Sequence, residues 1–564
     1  MSTSSTKSRP NKSGRAGTPS VGEKGPQRLD RDLPQVTDLS ERGWRVGSFA
    51  ILSLAAFLRL YNLNLVPFHH DEGVNGNFLV RLVREGFYQY DPANYHGPTL
   101  YYFSALIPWV LKLVFGTSAR ETYGLNTVTI RLVPALFGLA TIWLVLLLRR
   151  RIGTIGTLAA ALLLAISPGA VYLSRYFIHE SLFVFFTLGV VVAGLKFYEE
   201  RRPAFLMLAT ISAALLFATK ETAMISGGVL IIALASTQLY RLIYKSIFGK
   251  KRSKRKNPNH ETYTIQDFIN GLGGPMKLAI WFTLALLVFI TVNILVYSSF
   301  FTNYPKGIYD ALKTFDFWTK TGKEAHVHSA QTYILWLGRQ ELPILFLGTV
   351  GAAIAVLKPK NSFALFTVLW AFGLLAAYSL VPYKTPWLTL NVIVPLAIVA
   401  GYAVQTASQL DMGRWRLPLL LMLPCLAVSG YQTIDLNFFN YDNDNEKYVY
   451  VYAHTKRETL KLLDDIDRIS QRSPEGVHIG ITIVSPDYWP LPWYLRNYSG
   501  VGYFGHMAPS KEKIIIASEA QRAEMEATFG ALYAQVPSGS GSGSFPLRPG
   551  VDLLLYVRRD VLGP

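Results

Sequence analysis

Long apolar runs separated by short polar stretches occupy the chain from residue 45 to residue 431. The runs are about 20 residues long, which is the length at which an α-helix crosses the hydrocarbon core of a bilayer. They predict eleven membrane spans, at 45–61, 126–148, 155–173, 181–197, 203–219, 222–244, 276–298, 342–357, 361–380, 386–404 and 416–431. The predicted fold class is therefore a polytopic, all-α membrane bundle.

The two ends of the chain do not follow this pattern. Residues 1–43 are polar and rich in Ser, Lys, Arg, Pro and Gly, which predicts a disordered cytoplasmic tail. No signal peptide with a small-residue cleavage site precedes Trp44, so we expect the first span to remain as an anchor. Residues 44–431 then form the membrane domain, and residues 432–564 have the composition of a soluble domain.

The soluble part alternates two kinds of pattern. Short apolar runs of strand length lie at His478–Val484, Lys513–Ala517 and Asp552–Val557, and helical periods lie at 455–469 and 518–530. Strands that alternate with helices predict a small α/β domain.

Composition supports the membrane class. Half of the 564 residues are apolar and 16% are charged, whereas a soluble chain carries about a quarter charged residues. The single Cys425 excludes an intramolecular disulfide and a cysteine-based metal site. The net charge of +18 is typical here of cytoplasmic loops rather than of nucleic-acid binding.

Basic clusters set the predicted orientation. They lie at Arg149–Arg151, Arg201–Arg202, Lys250–Lys256, Lys358/Lys360 and Arg414/Arg416. All five lie inside if the N-terminus is cytoplasmic and the C-terminal domain is extracytoplasmic. The segment 99–115 is apolar enough to span, but a crossing there would put the first cluster outside. We therefore expect that segment to lie in the outer interface of a multi-pass cell-membrane protein.

Two adjacent carboxylates, Asp71 and Glu72, follow the first span, next to His69 and His70. Charge at a membrane face is costly, which favours a function for it. Adjacent helical residues diverge by about 100°, so we expect one carboxylate to face a cavity and the other the backbone or a basic neighbour. The alternative is a helix N-terminal pair that interacts with the helix dipole.

The same orientation puts three further connections on the outer face, at 174–180, 219–222 and 381–387. They carry the cations Arg175, Lys220 and Lys384, which we interpret as clamps for a phosphate. The alternative is that these side chains extend to the lipid headgroups, as cations at span ends do. Arg131, inside the second span, is either half of a buried pair or a lipid-phosphate contact.

Imidazole and carboxylate groups on this face also allow a metal interpretation. His69, His70, His96, His179 and Glu180 are the candidates. Adjacent histidines seldom bind one ion, and no His-x3-His spacing occurs, so hydrogen-bonding histidines are preferred. No cofactor is expected, and a divalent cation stays an alternative. The aromatic run 488–494 suits sugar stacking or docking on a bilayer, and the second is preferred.

Three motifs together resemble one family in order and spacing. They are His70-Asp71-Glu72-Gly73, Tyr95-His96-Gly97-Pro98-Thr99-Leu100-Tyr101-Tyr102 and Arg131-Leu132-Val133-Pro134. The chain resembles membrane glycosyltransferases of the protein O-mannosyltransferase and aminoarabinose-transferase type, which have the GT-C fold. Ser174–Glu180 is similar to a family loop in which Asp stands in place of Glu180. The double His and the run Asp487–Tyr494 resemble the subgroup of flippase activity-associated proteins.

The resemblance implies sugar transfer from a polyprenyl-phosphate donor to an extracytoplasmic acceptor, such as a lipid-linked glycan, an envelope polymer or a protein. We expect inversion, because a single displacement inverts the anomeric carbon and the sequence contains no evidence for a covalent nucleophile. Asp71 would be the base and Glu72 its catalytic neighbour. The substrate-binding residues would be His70, His96, Arg175, Glu180, Lys220, Tyr383 and Lys384. Nucleic acid is not an expected partner. Two alternatives stay open, a transporter or flippase component and a non-catalytic accessory protein of glycan assembly.

Overall fold

The computed structural model describes residues 39–93, 96–116, 124–248, 265–321, 327–410, 415–445, 447–538 and 543–562. Most of the predicted cytoplasmic tail and the cluster Lys250–Lys256 lie outside these residues. The first helix begins at Glu41, four residues before the predicted span. Ser40 caps it, because the Ser40 side chain accepts a hydrogen bond from the Gly43 N–H.

The membrane part is built from helices throughout its described residues. In chain order they are α1 (Glu41–Leu60), α2 (His70–Glu85), α3 (Thr99–Phe115), α4 (Thr127–Leu146), α5 (Arg149–Ile152), α6 (Thr154–Ala165), α7 (Pro168–Ser174), α8 (Glu180–Glu200), α9 (Pro203–Phe217), α10 (Ala223–Phe248), α11 (Ile265–Gly271), α12 (Pro275–Tyr297), α13 (Lys306–Thr321), α14 (Thr332–Gln340), α15 (Leu342–Leu357), α16 (Ser362–Leu380), α17 (Leu390–Leu410) and α18 (Arg416–Ile434).

The predicted polytopic bundle is confirmed. In the described residues, eight helices are long and apolar enough to cross a membrane: α1, α4, α8, α10, α12, α16, α17 and α18. Two bent pairs, α6 with α7 at 59° and α14 with α15 at 112°, raise the number to ten if each is one span. All eleven predicted spans fall on helices. However, α9 has 15 residues, fewer than a straight crossing needs.

The core of the bundle is formed around α17, which is buried on nearly every side by α6, α15 and α16. A helix that is apolar all round is expected in such a central position. Glycine allows the closest approach, since a Cβ on Gly401 would lie 2.2 Å from the Gly156 carbonyl oxygen. The Gln405 side chain, one turn further along α17, accepts a hydrogen bond from the Gly156 N–H at 2.9 Å.

The C-terminal part contains the predicted α/β domain. Its sheet has the strand order β2-β1-β3-β6-β4, with β5 also paired to β6. The strands are β1 (Ile481–Ile483), β2 (Val501–Tyr503), β3 (Ile514–Ser518), β4 (Tyr533–Val536), β5 (Phe545–Arg548) and β6 (Val551–Arg558), and the helices are α19 (Thr459–Arg472), α20 (Leu491–Tyr494), α21 (Arg522–Phe529) and α22 (Arg559–Leu562).

The sheet of this domain is mixed. Strands β2, β1 and β3 are parallel, and β6 pairs antiparallel with β3, β4 and β5. The three predicted strands correspond to β1, β3 and β6. The sequence did not reveal β2, β4 and β5, which are three or four residues long and carry no clear apolar run. Buried side chains cover both faces of the sheet.

The aromatic run after β1 packs against α2 of the membrane domain, which corrects the preferred bilayer interpretation. Trp493 is 1% exposed and stacks on Phe68, with ring centroids 4.7 Å apart. The Tyr494 hydroxyl accepts a hydrogen bond from the Phe68 N–H at 2.8 Å. A Cβ on Gly76 would lie 2.6 Å from the Trp493 ring, so the indole occupies the place of a side chain. The C-terminal domain thus packs on the helix that carries Asp71.

Candidate active site

A cavity of about 770 Å³ lies where α2, α8, α10 and the C-terminal domain meet. The residues that line it are His69, His70, Asp71, Asn75, His96, Ile178, His179, Glu180, Lys220, Glu221, Thr222, Ile225, Tyr378, Val381, Pro382, Tyr383, Thr385, Trp387, Leu388, Tyr452, Ala453 and Arg548. Six of the nine predicted site residues are among them. The other three, Glu72, Arg175 and Lys384, are not.

The start of α2 is fixed by a reciprocal cap. The His69 Nδ1 accepts the Asp71 N–H at 3.0 Å, and the Glu72 carboxylate accepts the His69 N–H at 3.0 Å. The other ring nitrogen of His69, Nε2, lies 2.9 Å from the Tyr452 carbonyl oxygen and therefore donates to it. Burial lowers the pKa of His69 to about 4, so this imidazole is neutral at pH 7. The cap orients the first turn of α2 toward the cavity.

Asp71 is the cavity-facing carboxylate of the pair. Its side chain is 25% exposed, and within the described part of the chain no donor hydrogen-bonds to it. Burial raises the pKa of Asp71 above its ordinary value, and the charges of His70 and His96, when protonated, oppose that rise. A carboxylate that has no hydrogen-bonded partner and a raised pKa is suited to accept a proton from a substrate.

Glu72 points the other way and is fully buried. Its carboxylate accepts hydrogen bonds from Arg131 at 2.7 and 2.5 Å and from the Phe177 N–H at 2.7 Å. Arg131 also donates to the carbonyls of Leu63 and Val66, at 2.9 and 2.8 Å. The structure therefore places Glu72, which was predicted as the catalytic neighbour of Asp71, outside the cavity lining and against a basic partner. Arg131 and Glu72 form a buried pair that ties α4 to the first turn of α2.

The connection before α10 brings two more ion pairs to the cavity wall. The Lys220 Nζ lies 2.5 Å from the Glu180 carboxylate, and His96 Nδ1 lies 2.9 Å from the Glu221 carboxylate. Burial works to raise the pKa of Glu221, but His96 and Lys220 together with a backbone hydrogen bond outweigh it and leave the pKa below its ordinary value. These contacts place three predicted residues, His96, Glu180 and Lys220, on one wall.

Backbone contacts hold this wall together. The Gly97 N–H donates to the Thr219 carbonyl at 3.1 Å, and His179 Nε2 lies 3.0 Å from the Gly97 carbonyl oxygen. A Cβ on Gly97 would lie 2.1 Å from the Ala218 carbonyl oxygen, so no larger residue fits there. The glycine of the His96-Gly97-Pro98 motif is thus explained by a close approach of two chain segments.

Two predicted phosphate clamps lie elsewhere. Arg175 donates to the carbonyls of Leu58, Tyr61 and Asn62, at 3.2, 2.6 and 3.0 Å, and so satisfies the free carbonyls at the end of α1. Lys384 does the same for α16, since its Nζ donates to the Ser379 and Val381 carbonyls. Both side chains are buried outside the cavity lining. The structure corrects their predicted placement, because helix ends already use their charges.

A second part of the cavity lining is mostly apolar. It is formed by the segment between α16 and α17, with Val381, Pro382, Tyr383, Trp387 and Leu388. Tyr383 lines the cavity as predicted, and burial raises the pKa of its hydroxyl above the ordinary value. This hydroxyl stays protonated and can donate a hydrogen bond. A cavity with one apolar and one ionic wall suits an amphiphilic ligand.

Three lining residues come from the C-terminal domain and were missed: Tyr452, Ala453 and Arg548. Arg548 NH1 lies 3.3 Å from His70 Nδ1, although the two residues are 478 positions apart. No pattern in a single sequence connects positions so distant. The sequence analysis also did not predict Glu221 as a site residue. Its position next to Lys220, in a connection expected on the outer face, could have indicated it.

The metal interpretation gains no support from side-chain positions. Among the described residues no group of three or more His, Cys, Asp and Glu side chains is arranged to hold a metal ion. The candidate histidines bond instead to a backbone carbonyl or to single side chains, as for His69 and His96. The divalent-cation alternative stays a prediction.

Comparison with known proteins identifies the fold. Residues 104–249 match the family model described as dolichyl-phosphate-mannose-protein mannosyltransferase. The structure is similar to ArnT from Cupriavidus metallidurans bound to undecaprenyl phosphate, with a TM-score of 0.60 and 15% identity over 93% of this chain and 100% of that one. It is also similar to the archaeal oligosaccharyltransferase AglB from Archaeoglobus fulgidus in complex with an inhibitory peptide and a dolichol-phosphate. The TM-score of that match is 0.50 and the identity is 13%, and the match covers 90% of this chain and 74% of that one.

None of the curated protein sequences matches the chain. The family model covers the region from α3 to α10, and the likeness to ArnT extends over both the membrane and the C-terminal parts. The chain is thus a multi-pass membrane protein with the GT-C fold, as its motifs indicated.

Proposed function

We propose that this protein is an inverting glycosyltransferase that takes a sugar from a polyprenyl-phosphate donor. The observation that carries the proposal is the Asp71 carboxylate, which lines the cavity and accepts no hydrogen bond in the described chain. The matching family model and the lipid phosphates named for the similar ArnT and AglB structures support the donor class. Membership of the flippase activity-associated subgroup, which the double His and the run Asp487–Tyr494 suggest, stays a prediction.

In the proposed reaction, Asp71 takes the proton of an acceptor hydroxyl as its oxygen attacks the anomeric carbon of the sugar. The bond between that carbon and the phosphate oxygen breaks, and the electron pair leaves with the lipid phosphate. A single displacement of this kind inverts the anomeric carbon. The Asp71 carboxylate in the lining and the apolar wall, which we assign to the lipid chain, support a one-step transfer.

The ionic wall has a distinct role in this proposal. Lys220 and Glu180 are both almost fully buried, and a buried pair with a short contact is rigid rather than solvated. We assign this pair to positioning the sugar phosphate relative to Asp71. His70, His96 and Tyr383 would complete the polar lining, because each can hydrogen-bond to sugar hydroxyls. The acceptor is proposed as a lipid-linked glycan or an envelope polymer or protein.

We further propose that the cavity opens on the extracytoplasmic side, with the N-terminus in the cytoplasm. Three of the predicted inner loops have basic residues that the structure describes, around Arg149, Arg201 and Lys358. These residues lie at the ends of helices that lead away from the cavity. This supports the predicted orientation, which the accessibility experiment in the Discussion tests.

Replacement of Asp71 by Asn tests the catalytic assignment. The amide keeps the size of the side chain but cannot accept the proton, so we expect turnover to fall by roughly 10²–10⁴-fold. The measurement is release of polyprenyl phosphate from a radiolabelled polyprenyl-phosphate sugar, with an envelope extract as acceptor. Folding is checked by thermal unfolding of the purified protein, which should not change.

A wild-type protein that binds donor lipid but never releases polyprenyl phosphate would contradict the transferase assignment. Full turnover in the Asp71→Asn variant would contradict the assignment of the base. In either case a transporter or a non-catalytic accessory protein would become the leading function, because both can use the same lipid-binding cavity without transfer.

A further inference from the structure

Arg548 reaches the cavity from the tip of a hairpin in the C-terminal domain. Strands β5 and β6 are paired at Arg548 and Val551, so only Pro549 and Gly550 form the turn. Gly550 has a φ of +75°, which a Pro-Gly turn needs at its second central position. A tight turn of this kind fixes the backbone of Arg548 and so places a cation in the lining of the cavity between the two domains.

The guanidinium of Arg548 is only partly engaged. Its NH2 donates to the Asp487 carboxylate, and its NH1 lies 3.3 Å from His70 Nδ1 and 3.4 Å from the Trp489 carbonyl oxygen. These contacts use three of the five N–H donors of an arginine. The other two have no partner in the described chain. His70 does not repel the guanidinium, because burial lowers the pKa of this imidazole to about 4.

The charges along the cavity single out Arg548. Two of the described lining residues are permanent cations, Lys220 and Arg548. Lys220 is held by Glu180 in a pair that is 4% and 2% exposed. Asp487, the partner of Arg548, is 48% exposed and lies outside the lining, so water already screens that pair. An anion in the cavity can therefore share the charge of Arg548 at a smaller cost than that of Lys220.

We propose that Arg548 binds the phosphate of the polyprenyl-phosphate ligand, so that the C-terminal domain supplies part of the donor site. This rests on the proposed function and extends it to a residue of the other domain. Guanidinium matches phosphate through two parallel hydrogen bonds, which a lysine ammonium cannot form. The contact would hold the phosphate both before transfer and after it, when its negative charge has increased.

Binding to the purified full-length protein tests this without turnover. The probes are decaprenyl phosphate and the uncharged decaprenol, titrated by quenching of tryptophan fluorescence in detergent. We expect Arg548→Gln to weaken decaprenyl phosphate binding by about ten-fold or more and to leave decaprenol binding unchanged. Arg548→Lys should recover part of the loss. The matched control is Arg468→Gln, which removes an exposed arginine that pairs with Asp465 on α19.

A second variant separates anion binding from a structural tie. If Arg548 only fastened its hairpin to the loop after β1, then Asp487→Asn would remove the same tie and reproduce the loss. We expect instead that Asp487→Asn binds decaprenyl phosphate as well as the wild type or better, because Arg548 then has no competing carboxylate. Inorganic phosphate as a competitor shows whether the headgroup alone is recognised or the lipid is needed as well.

Three results would overturn the proposal: unchanged decaprenyl phosphate affinity in Arg548→Gln, an equal loss for decaprenol, or an equal loss in Asp487→Asn. These outcomes are distinct from failure of the proposed transferase function. A wild type that binds decaprenyl phosphate through Arg548 but transfers no sugar would contradict the enzyme assignment and leave this site in place.

Discussion

The neighbours Asp71 and Glu72 show how one turn of helix separates two roles. Asp71 faces the cavity and has no hydrogen-bonded partner in the described chain, whereas Glu72 is buried against Arg131 and the Phe177 N–H. The sequence predicted that the two carboxylates would diverge, because adjacent helical residues point about 100° apart. The sequence could not show which residue pairs with Glu72, because Arg131 is 59 positions away along the chain.

Glu72→Gln should destabilise the protein more than it affects chemistry. The variant leaves the charge of Arg131 buried without a counter-charge, and the loss of one partner from a buried pair costs about 3–5 kcal/mol. We expect a clear drop in the thermal unfolding temperature, measured in the same detergent as the wild type. The control is Glu519→Gln, which breaks an exposed pair with Arg522 and should leave that temperature unchanged. Equal temperatures for Glu72→Gln and the wild type would contradict the structural role.

The pH dependence of transfer should report the environment of Asp71. Burial raises its pKa above the ordinary 3.8, and a base works only when deprotonated. Activity should therefore fall as the pH is lowered through a midpoint above 3.8. The measurement is kcat/KM as a function of pH. The control is Glu519→Gln, whose kcat/KM should fall at the same acidic pH as that of the wild type. A midpoint at or below 3.8 would show that this carboxylate is not the base.

At the scale of elements, the contact between α2 and α20 couples the two domains. Gly73 and Gly76 leave room for Pro490 and Trp493, and a Cβ at either glycine would lie 2.6 Å from the facing ring. No single-sequence pattern predicts this pairing. The aromatic run was visible in the sequence, but its partner is a helix more than 400 positions earlier. Its composition suits a bilayer equally well, which is why the preferred interpretation was wrong.

Gly76→Ala tests this contact. The added methyl group must displace the Trp493 ring, which is buried on Phe68, so we expect weaker docking of the C-terminal domain and a several-fold loss of transfer. Limited proteolysis between residues 432 and 458 measures docking, and the variant should be cut faster. The matched control is Gly227→Ala on α10, where nothing lies within 4 Å of the added Cβ. Identical cleavage of both variants would contradict the coupling.

Sequence patterns predicted elements better than their arrangement. Every predicted span fell on a helix, since apolar length alone identifies such segments. The 59° bend between α6 and α7 was not foreseen, although Pro168 at the start of α7 marks it. The cations Arg175 and Lys384 were assigned to phosphate because they lie in short outer connections beside aromatic or Pro-rich segments. That position equally allows a cation to satisfy the free carbonyls of a helix end, and sequence cannot distinguish the two uses.

For the whole molecule, the orientation in the membrane is testable by thiol accessibility. In a Cys425→Ser background, Glu524→Cys on α21 should react with an impermeant reagent on intact cells, because the C-terminal domain is predicted outside. Lys360→Cys, in the connection between α15 and α16, should react only after lysis. Both positions are exposed, so a difference reports sidedness. The reverse pattern would place the cavity on the cytoplasmic side.

The cavity is lined by residues from both the N-terminal and the C-terminal parts of the chain. The site is therefore complete only after synthesis has passed both parts. The His69 ring that caps α2 donates a hydrogen bond to the Tyr452 carbonyl, and Arg548 comes from the hairpin 545–558. A ribosome that has already delivered every membrane helix has therefore still not made a complete site. On the proposed function, we expect a partly synthesised chain to transfer no sugar, and a chain cut short before residue 545 to be inserted but inactive.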